Sequence, residues 1–175
     1  NRQTWTWSGW VKRGLLGGSS SQIIMHGGIA SNGNINTLFG FTDYDAFFVY
    51  STNYGFTNDI QLFPNQVFRD HSAWYHIVVV MDTTQATSSN RIKIYINGVQ
   101  VTSFATANYP SQNYNTGINN NQIQYISNTS YAPFGTYLDG YLAEVNFIDG
   151  QALTPSSFGN TNSVTGVWQP AKYTG

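Results

Sequence analysis

The chain contains a single glutamate, Glu144, within the stretch DGYLAEVNFIDG that spans residues 139–150. Glutamates serve as general acids and as glycosidase nucleophiles, so a lone one raises the question of catalysis. Glycosidases of both stereochemical outcomes need two carboxyl groups flanking one bond, so here an Asp would have to supply the second. In an alternating strand this side chain shares a face with Leu142, Asn146 and Ile148, partly covered and held by Arg or backbone donors. The pattern favours a structural carboxylate over a catalytic one.

The three histidines are the next candidates for chemistry. His26, His71 and His76 show none of the short spacings that zinc sites use. We expect His71 in a loop and His76 at a covered position beside Val78. The sequence has no G-x-S-x-G elbow, which would indicate a serine triad, and no Cys, which excludes thiolate chemistry. These residues predict a protein that is not an enzyme.

Calcium is the inorganic cofactor that the sequence raises. The stretch TDYD at residues 42–45 puts Asp43 and Asp45 on the same side of an extended segment. Ca²⁺ takes six to eight oxygen ligands, and one Asp pair supplies too few of them alone. The favoured alternative is that both residues are simply turn formers.

Aromatic residues in polar loops are the candidates for sugar recognition. Aromatic faces stack on the CH groups of sugar rings, while amides and hydroxyls bond the sugar hydroxyls in a largely neutral site. The alternative is that loop tyrosines cap the edges of the fold, since scattered surface aromatics are ordinary. The candidate glycan-binding residues are Tyr44, Tyr54, Tyr109, Asn113, Tyr114 and Tyr131.

The charge balance limits the class of partner. Charged residues make up 9% of the 175 residues and the net charge is -1, against about 25% charged residues in an average domain. The 7 Lys and Arg residues are not clustered, so the counterion release that drives nucleic-acid binding is almost missing. No apolar run approaches the ~20 residues needed to span a bilayer. The composition excludes nucleic-acid binding and membrane insertion.

Alternation with a period of two indicates half-buried β-strands. The stretch TWTWSGWVK puts Trp5, Trp7 and Val11 on one side of such a strand. The stretch WYHIVVVMD at 74–82 is apolar on both faces at its centre. That pattern is typical of a central strand covered above and below.

The clearest local signal is a hairpin. In RIKIYINGVQVTSF, residues 91–104, Asn97-Gly98 follows an alternating run and favours the two positive φ values of a type I′ turn. A proline after Thr154 predicts one short helical turn near 154–158. Further strands are predicted at 22–27, 36–41, 46–51, 59–63, 122–127 and 136–150. The pattern predicts an all-β, two-sheet antiparallel sandwich or jelly roll in a single domain over 1–175.

Three stretches carry a resemblance to a known family. They are WTWSGWVKRG at 5–14, AWYHIVVVMD at 73–82 with NRIKIYINGVQV at 90–101, and DGYLAEVNFIDGQALTPSSFG at 139–159. With these motifs in this order, the chain resembles the concanavalin A-like lectin/glucanase superfamily, in particular its laminin-G-like and pentraxin-like jelly rolls. It is similar to the variant found in tail-fibre-like virion proteins of marine bacteriophages. Such domains occur inside longer chains, so we expect a piece excised from a longer protein.

The resemblance implies a non-catalytic, lectin-like module that binds glycan or cell-surface polysaccharide, outside the cell or on a virion surface. It implies a structural Glu144, because the glucanase members carry an E-x-D-x-x-E motif that this sequence lacks. Many relatives bind calcium at a rim of the sandwich, so the resemblance also makes Asp43 and Asp45 candidate calcium ligands. Two alternatives remain open: a structural virion domain that contacts copies of itself or other virion subunits, and a glycoside hydrolase.

Overall fold

A computed structural model describes residues 1–28, 35–53, 57–129 and 136–175 of the chain. Fourteen strands and two 3₁₀ turns are present in these residues. The strands are β1 (Thr4–Arg13), β2 (Gln22–Gly27), β3 (Asn36–Phe41), β4 (Phe47–Thr52), β5 (Asn58–Pro64), β6 (Tyr75–Asp82), β7 (Ile92–Ile96), β8 (Val99–Gln100), β9 (Phe104–Asn108), β10 (Gln124–Ile126), β11 (Thr136–Tyr137), β12 (Gly140–Asp149), β13 (Gly159–Thr161) and β14 (Trp168–Pro170). The 3₁₀ turns are Ser88–Asn90 and Pro155–Ser157.

Two large sheets pack face to face. The five-stranded sheet has the order β12-β1-β6-β7-β8, and the seven-stranded sheet has the order β10-β2-β3-β4-β5-β9 with β11 beside β2. All neighbours in the two sheets are antiparallel except β11 and β2. The described residues contain no helix long and apolar enough to cross a membrane. The prediction of an all-β, two-sheet sandwich is confirmed.

The main core lies between the sheets. Strand β1 contributes Trp5, Trp7 and Val11, which are all buried there, as its alternation predicts. Trp7 meets Phe39 of the opposite sheet edge-on, with ring centroids 5.2 Å apart. Aromatic side chains bury roughly 150–250 Å² each, so such pairs dominate the energetics of the core.

The five-stranded sheet is also covered on its outer face. Val78 and Val80 of β6 are buried there against Phe158, with Leu153 and Tyr173 packed around them. The chain that follows β12 therefore forms a second, smaller core on this sheet. This covering explains why β6 is apolar on both faces, and the predicted central strand is confirmed.

The hairpin between β7 and β8 is formed as predicted. Asn97 has φ 49° and Gly98 has φ 82°, the two positive values that a type I′ turn requires. A Cβ at Gly98 would lie 2.7 Å from ring atoms of Trp168. Glycine therefore serves both the turn and the close packing of this ring.

Two parts of the strand pattern differ from the prediction. The single strand expected over 136–150 is two strands, β11 and β12, in different sheets. The chain changes sheets at Asp139, whose carbonyl accepts a hydrogen bond from Gly14 N–H at 2.8 Å. Strands β9, β13 and β14 were not predicted, because their residues show no clear run of alternating apolar and polar side chains.

Candidate functional site

Tyr114 is an anchor of its loop. Its hydroxyl donates to Asp59 Oδ2 at 2.9 Å and lies 2.9 Å from Ser51 Oγ. Burial raises the pKa of the Tyr114 phenol, which therefore stays protonated. The adjacent Asn113 is exposed with φ 61°, and its N–H bonds the carbonyl of Thr83. The Tyr114 hydroxyl is thus occupied within the protein, and a glycan-binding role for this pair stays a prediction.

Residues 42–45 form a turn. Asp45 N–H donates to Thr42 O at 3.1 Å, and Asp45 has φ 72°. The turn leaves Asp43 exposed and Asp45 buried. The prediction of an extended segment with both carboxylates on one side is wrong, because the tight turn directs the two side chains differently.

The Asp45 carboxylate is neutralised by cations of the protein itself. It accepts from Arg13 at 2.9 Å, Arg69 at 3.2 Å and Gly17 N–H at 2.6 Å. Burial would raise the pKa of Asp45, but these donors together lower it below its ordinary value. Among the described residues, no cluster of three or more His, Cys, Asp or Glu could hold a metal ion. Calcium binding at Asp43 and Asp45 stays a prediction that this arrangement does not favour.

Tyr44 and Tyr114 lie at opposite ends of the sandwich. Tyr44 is 52% exposed and precedes β4, whereas Tyr114 contacts Ser51 near the far end of that strand. The segment from Phe47 to Ser51 alone extends about 13 Å at the usual rise of a strand. One small ligand therefore does not bridge these two tyrosines.

Tyr109 lines a surface that we call the edge groove. It lies where the chain crosses from β8 of one sheet to β9 of the other, through residues 101–103. The groove has two depressions, which share Gln100, Val101 and Thr102 as walls. Tyr109 is half-buried against the core, and burial raises the pKa of its phenol, which keeps it a neutral hydrogen-bond donor.

The two depressions have similar sizes and similar chemistry. The first has a volume of about 390 Å³ and the second of about 360 Å³. The exposed Val99 adds an apolar contact to the first, and Phe104 to the second. The polar residues of the first are Gln66, Asn97, Gln100, Thr102 and Ser103. Those of the second are Ser89, Asn90, Gln100, Thr102 and Tyr109.

Most of these polar side chains make no hydrogen bond to another described residue. Ser103 and Asn97 are engaged, since Ser103 Oγ accepts from Asn65 and Asn97 Oδ1 accepts from His76 N–H. In the described part of the chain, the others make no side-chain hydrogen bond: Gln66, Ser89, Asn90, Gln100, Thr102 and Tyr109. Amides and hydroxyls that are free in a concave surface can bond the hydroxyls of a ligand.

Glu144 lies at a β-bulge. Trp10 of β1 pairs with Ala143, and Ser8 pairs with Asn146, so two residues of β12 oppose one of β1. Glu144 itself has φ 48°, in the left-handed region that favours glycine. The extra residue shifts the alternation of side chains along β12.

The bulge overturns two predictions for Glu144. Leu142 packs against the main core while Ile148 packs on the outer face, so these residues do not share one face with Glu144. The Glu144 side chain is exposed, and among the described residues its carboxylate has no hydrogen-bond or ion-pair partner. The expectation of a partly covered carboxylate held by Arg or backbone donors is wrong, because the bulge turns it to solvent.

Ser8 and His76 form a buried pair that resembles a nucleophile and its base. Ser8 Oγ lies 2.9 Å from His76 Nε2, and both residues are almost fully buried. Trp168 donates its indole N–H to His76 Nδ1 at 2.9 Å. The imidazole proton therefore sits on Nε2 and points at Ser8, which leaves no free lone pair to accept the serine proton. The geometry makes this pair structural.

Sequence reasoning found Tyr109 but not the rest of the edge groove. Tyr54 and Tyr131 lie outside the described residues. The missed residue Gln66 is far from Gln100 in the sequence, and the fold alone brings these two residues to one depression. The missed residue Asn90 lines the other depression with Gln100, across the β7–β8 hairpin. One feature of the sequence could have indicated the groove. The stretch after the hairpin turn is polar and does not alternate, and it separates the edge strands β8 and β9.

A family model described as the concanavalin A-like lectin/glucanases superfamily matches residues 1–157. A search of curated proteins gave no significant match. Solved structures share the fold at low identity. A native heptameric SAP-like pentraxin from Limulus polyphemus has 16% identity and a TM-score of 0.52, over 87% of this chain and 66% of its own.

Two carbohydrate-active proteins give similar matches. Domain 4 of AbnA, a GH43 extracellular arabinanase from Geobacillus stearothermophilus in complex with arabinotriose, has 17% identity and a TM-score of 0.55, over 88% of this chain and 64% of its own. A Trypanosoma rangeli sialidase in complex with 2,3-difluorosialic acid has 14% identity and a TM-score of 0.54, over 89% of this chain but 22% of its own. The chain therefore spans only part of each of these proteins.

Proposed function

The chain belongs to the concanavalin A-like lectin/glucanase superfamily, and on that premise we propose that it is a non-catalytic, carbohydrate-binding module. The observation that carries the proposal is the edge groove, where six polar side chains have no partner in the described part of the chain. Their amide and hydroxyl groups match the hydrogen-bonding needs of a sugar, and Tyr109 and Val99 add apolar contact.

The structural neighbours support a carbohydrate ligand. The arabinanase domain was solved with arabinotriose and the sialidase with a sialic acid derivative. The identities are low and each match covers part of the neighbour, so these ligands do not name the sugar for this chain. They support a carbohydrate as the class of ligand for a groove that is lined by amides and hydroxyls.

Binding without turnover is the second element of the proposal. Among the described residues, neither depression of the edge groove is lined by an Asp or a Glu. Most glycoside hydrolases use two carboxyl groups that flank the scissile bond. Glu144 is exposed at a bulge of β12, the strand at the opposite end of its sheet from β8. The module therefore holds its ligand and leaves it intact.

The biological setting in this proposal is an extracellular or virion surface, where the module attaches a phage or bacterial assembly to cell-surface polysaccharide. The neutral composition suits adhesion to sugars rather than to polyanions. The glycan contact lies in the edge groove, and other subunits or copies of the chain occupy other faces.

A structural subunit-contact role is the second candidate function. Several apolar side chains are exposed at the opposite edge of the sandwich, on β10, β11 and β12: Ile126 (67%), Tyr137 (69%), Tyr141 (66%) and Val145 (43%). Exposed apolar side chains on unpaired strand edges favour contact with another chain. This surface is separate from the edge groove, so both roles are compatible in one domain.

A glycan array followed by calorimetry tests the proposal. The wild-type chain is expected to bind at least one polysaccharide without releasing reducing ends. Gln100→Ala is expected to weaken that binding about tenfold or less, as for loss of one or two hydrogen bonds. Gln151→Ala, which changes an exposed amide outside the groove, serves as the control. Failure to bind any polysaccharide, or equal binding by the Gln100 and Gln151 variants, contradicts the proposal.

A further inference from the structure

The two depressions of the edge groove are spaced for a ligand longer than one sugar ring. Ile92 lines the second depression and Ile96 lines the first. Both belong to β7, and four residues of strand cover about 13 Å. A ligand that fills both depressions must therefore extend across the crossover segment, residues 101–103.

The crossover segment forms a wall that both depressions share. Gln100, Val101 and Thr102 line both, so one side chain can face ligand on either side. Gln100 and Thr102 are exposed, and the depressions are open to solvent. Because both depressions are open to solvent, a chain that binds in them can extend beyond them.

The groove carries no formal charge of its own. Among the described residues, neither depression is lined by Lys, Arg, Asp or Glu, and burial holds Tyr109 neutral. An anionic sugar would lose hydration there without gaining an ion pair. Hydroxyls of an uncharged sugar would be matched by the free amides Gln66, Asn90 and Gln100.

We propose that the edge groove binds the interior of an uncharged, extended polysaccharide, with one subsite in each depression and Gln100 between them. This inference rests on the proposed carbohydrate-binding function and specifies its ligand. Gln66 serves only the first subsite, and Asn90 serves only the second. A monosaccharide occupies one subsite at a time, whereas a longer chain engages both at once, which raises affinity by linkage.

The test is a length series of neutral oligosaccharides cut from the polysaccharide that the wild-type chain binds. Affinity is expected to rise at least tenfold from monosaccharide to the length that spans both depressions, and then to level off. Capping the ends of the longest oligosaccharide should leave its affinity unchanged. Raising the salt concentration should also have little effect, because no ion pair is involved.

Two single-site variants and a control separate the subsites. Gln66→Ala and Asn90→Ala are each expected to reduce affinity for the long oligosaccharide two- to tenfold, while Gln151→Ala binds as wild type does. Circular dichroism checks that each exposed substitution leaves the fold intact. Length-independent affinity, preference for chain ends, or wild-type binding by both variants overturns the two-subsite inference while the lectin function stands. Absence of binding to every polysaccharide overturns the lectin function, and this inference with it.

Discussion

Trp168 donates its indole N–H to Nδ1 of His76 across 2.9 Å, and this hydrogen bond fixes the histidine as a neutral tautomer. The imidazole ring also packs against the rings of Trp10 and Trp168, with centroid distances of 5.1 and 5.8 Å. Burial lowers the pKa of His76 from 6.5 to about 4. The contact joins β14 to the outer face of the five-stranded sheet. The packing of the C-terminal segment on this sheet therefore depends on His76 staying neutral.

The first prediction concerns pH. Between pH 6.5 and about 4 the unfolded chain protonates His76 while the folded chain does not, so stability falls as pH falls through that window. The full loss for a shift of this size is about 3 kcal/mol. Burial lowers the pKa of His26 as well, which adds a loss of the same sign. Urea denaturation at pH 4 to 7.5 measures the slope.

Two variants test whether His76 causes this pH dependence of the free energy of unfolding. His76→Gln is expected to be less stable at neutral pH but to show a flatter dependence between pH 4 and 6.5. His71→Gln changes an exposed loop histidine and should retain the wild-type slope. An unchanged slope in the His76 variant would show that another group carries the pH dependence.

The second prediction concerns the ion pairs of Asp45. Asp45→Asn leaves the buried Arg13 without its counter-charge, and breaking such a pair costs roughly 3–5 kcal/mol. Asp43→Asn is expected to change stability by less than about 0.5 kcal/mol, because that side chain is exposed. Thermal melts with added calcium and with chelator provide the comparison. A calcium-dependent rise in Tm that both variants lose would restore the calcium site at this turn.

The third prediction concerns Glu144. Glu144→Gly is expected to stabilise the chain by up to about 1 kcal/mol, because glycine adopts a φ of 48° without strain. Glu144→Gln should leave both Tm and ligand binding unchanged, since the carboxylate is exposed. Glu144→Val should lower Tm and promote association through β12, where a charge on an edge strand opposes pairing. Chemical denaturation and light scattering measure these effects, and a large loss of stability in the Gln variant would contradict the exposed placement.

The fourth prediction concerns Tyr114. Tyr114→Phe removes the hydroxyl that bonds Asp59 and contacts Ser51, and it should cost about 1–3 kcal/mol. Glycan affinity should stay within twofold of wild type, because the edge groove does not include this side chain. Calorimetry beside a denaturation curve measures both quantities. A selective loss of binding with unchanged stability would return Tyr114 to the glycan site.

Local patterns were enough to predict most of the longer strands and the hairpin turn. The alternation around Trp5 and Trp7 identifies β1 and its buried face, and Asn97-Gly98 identifies the β7–β8 hairpin. Both signals come from neighbouring residues within one strand or one turn. They depend on side-chain alternation and on φ preferences, which are local properties of the chain. The all-β class therefore follows from sequence alone, and so does the low content of charged residues.

The tertiary structure determined which residues form the candidate site. Gln66 meets Gln100 in the first depression only because β9 pairs with β5. The bulge at Glu144 arises from its register with β1, and the burial of Asp45 arises from contact with Arg13. These features depend on long-range pairing that periodicity does not encode. The sequence alone determined which faces are apolar, and the packing of distant strands determined where free polar side chains meet.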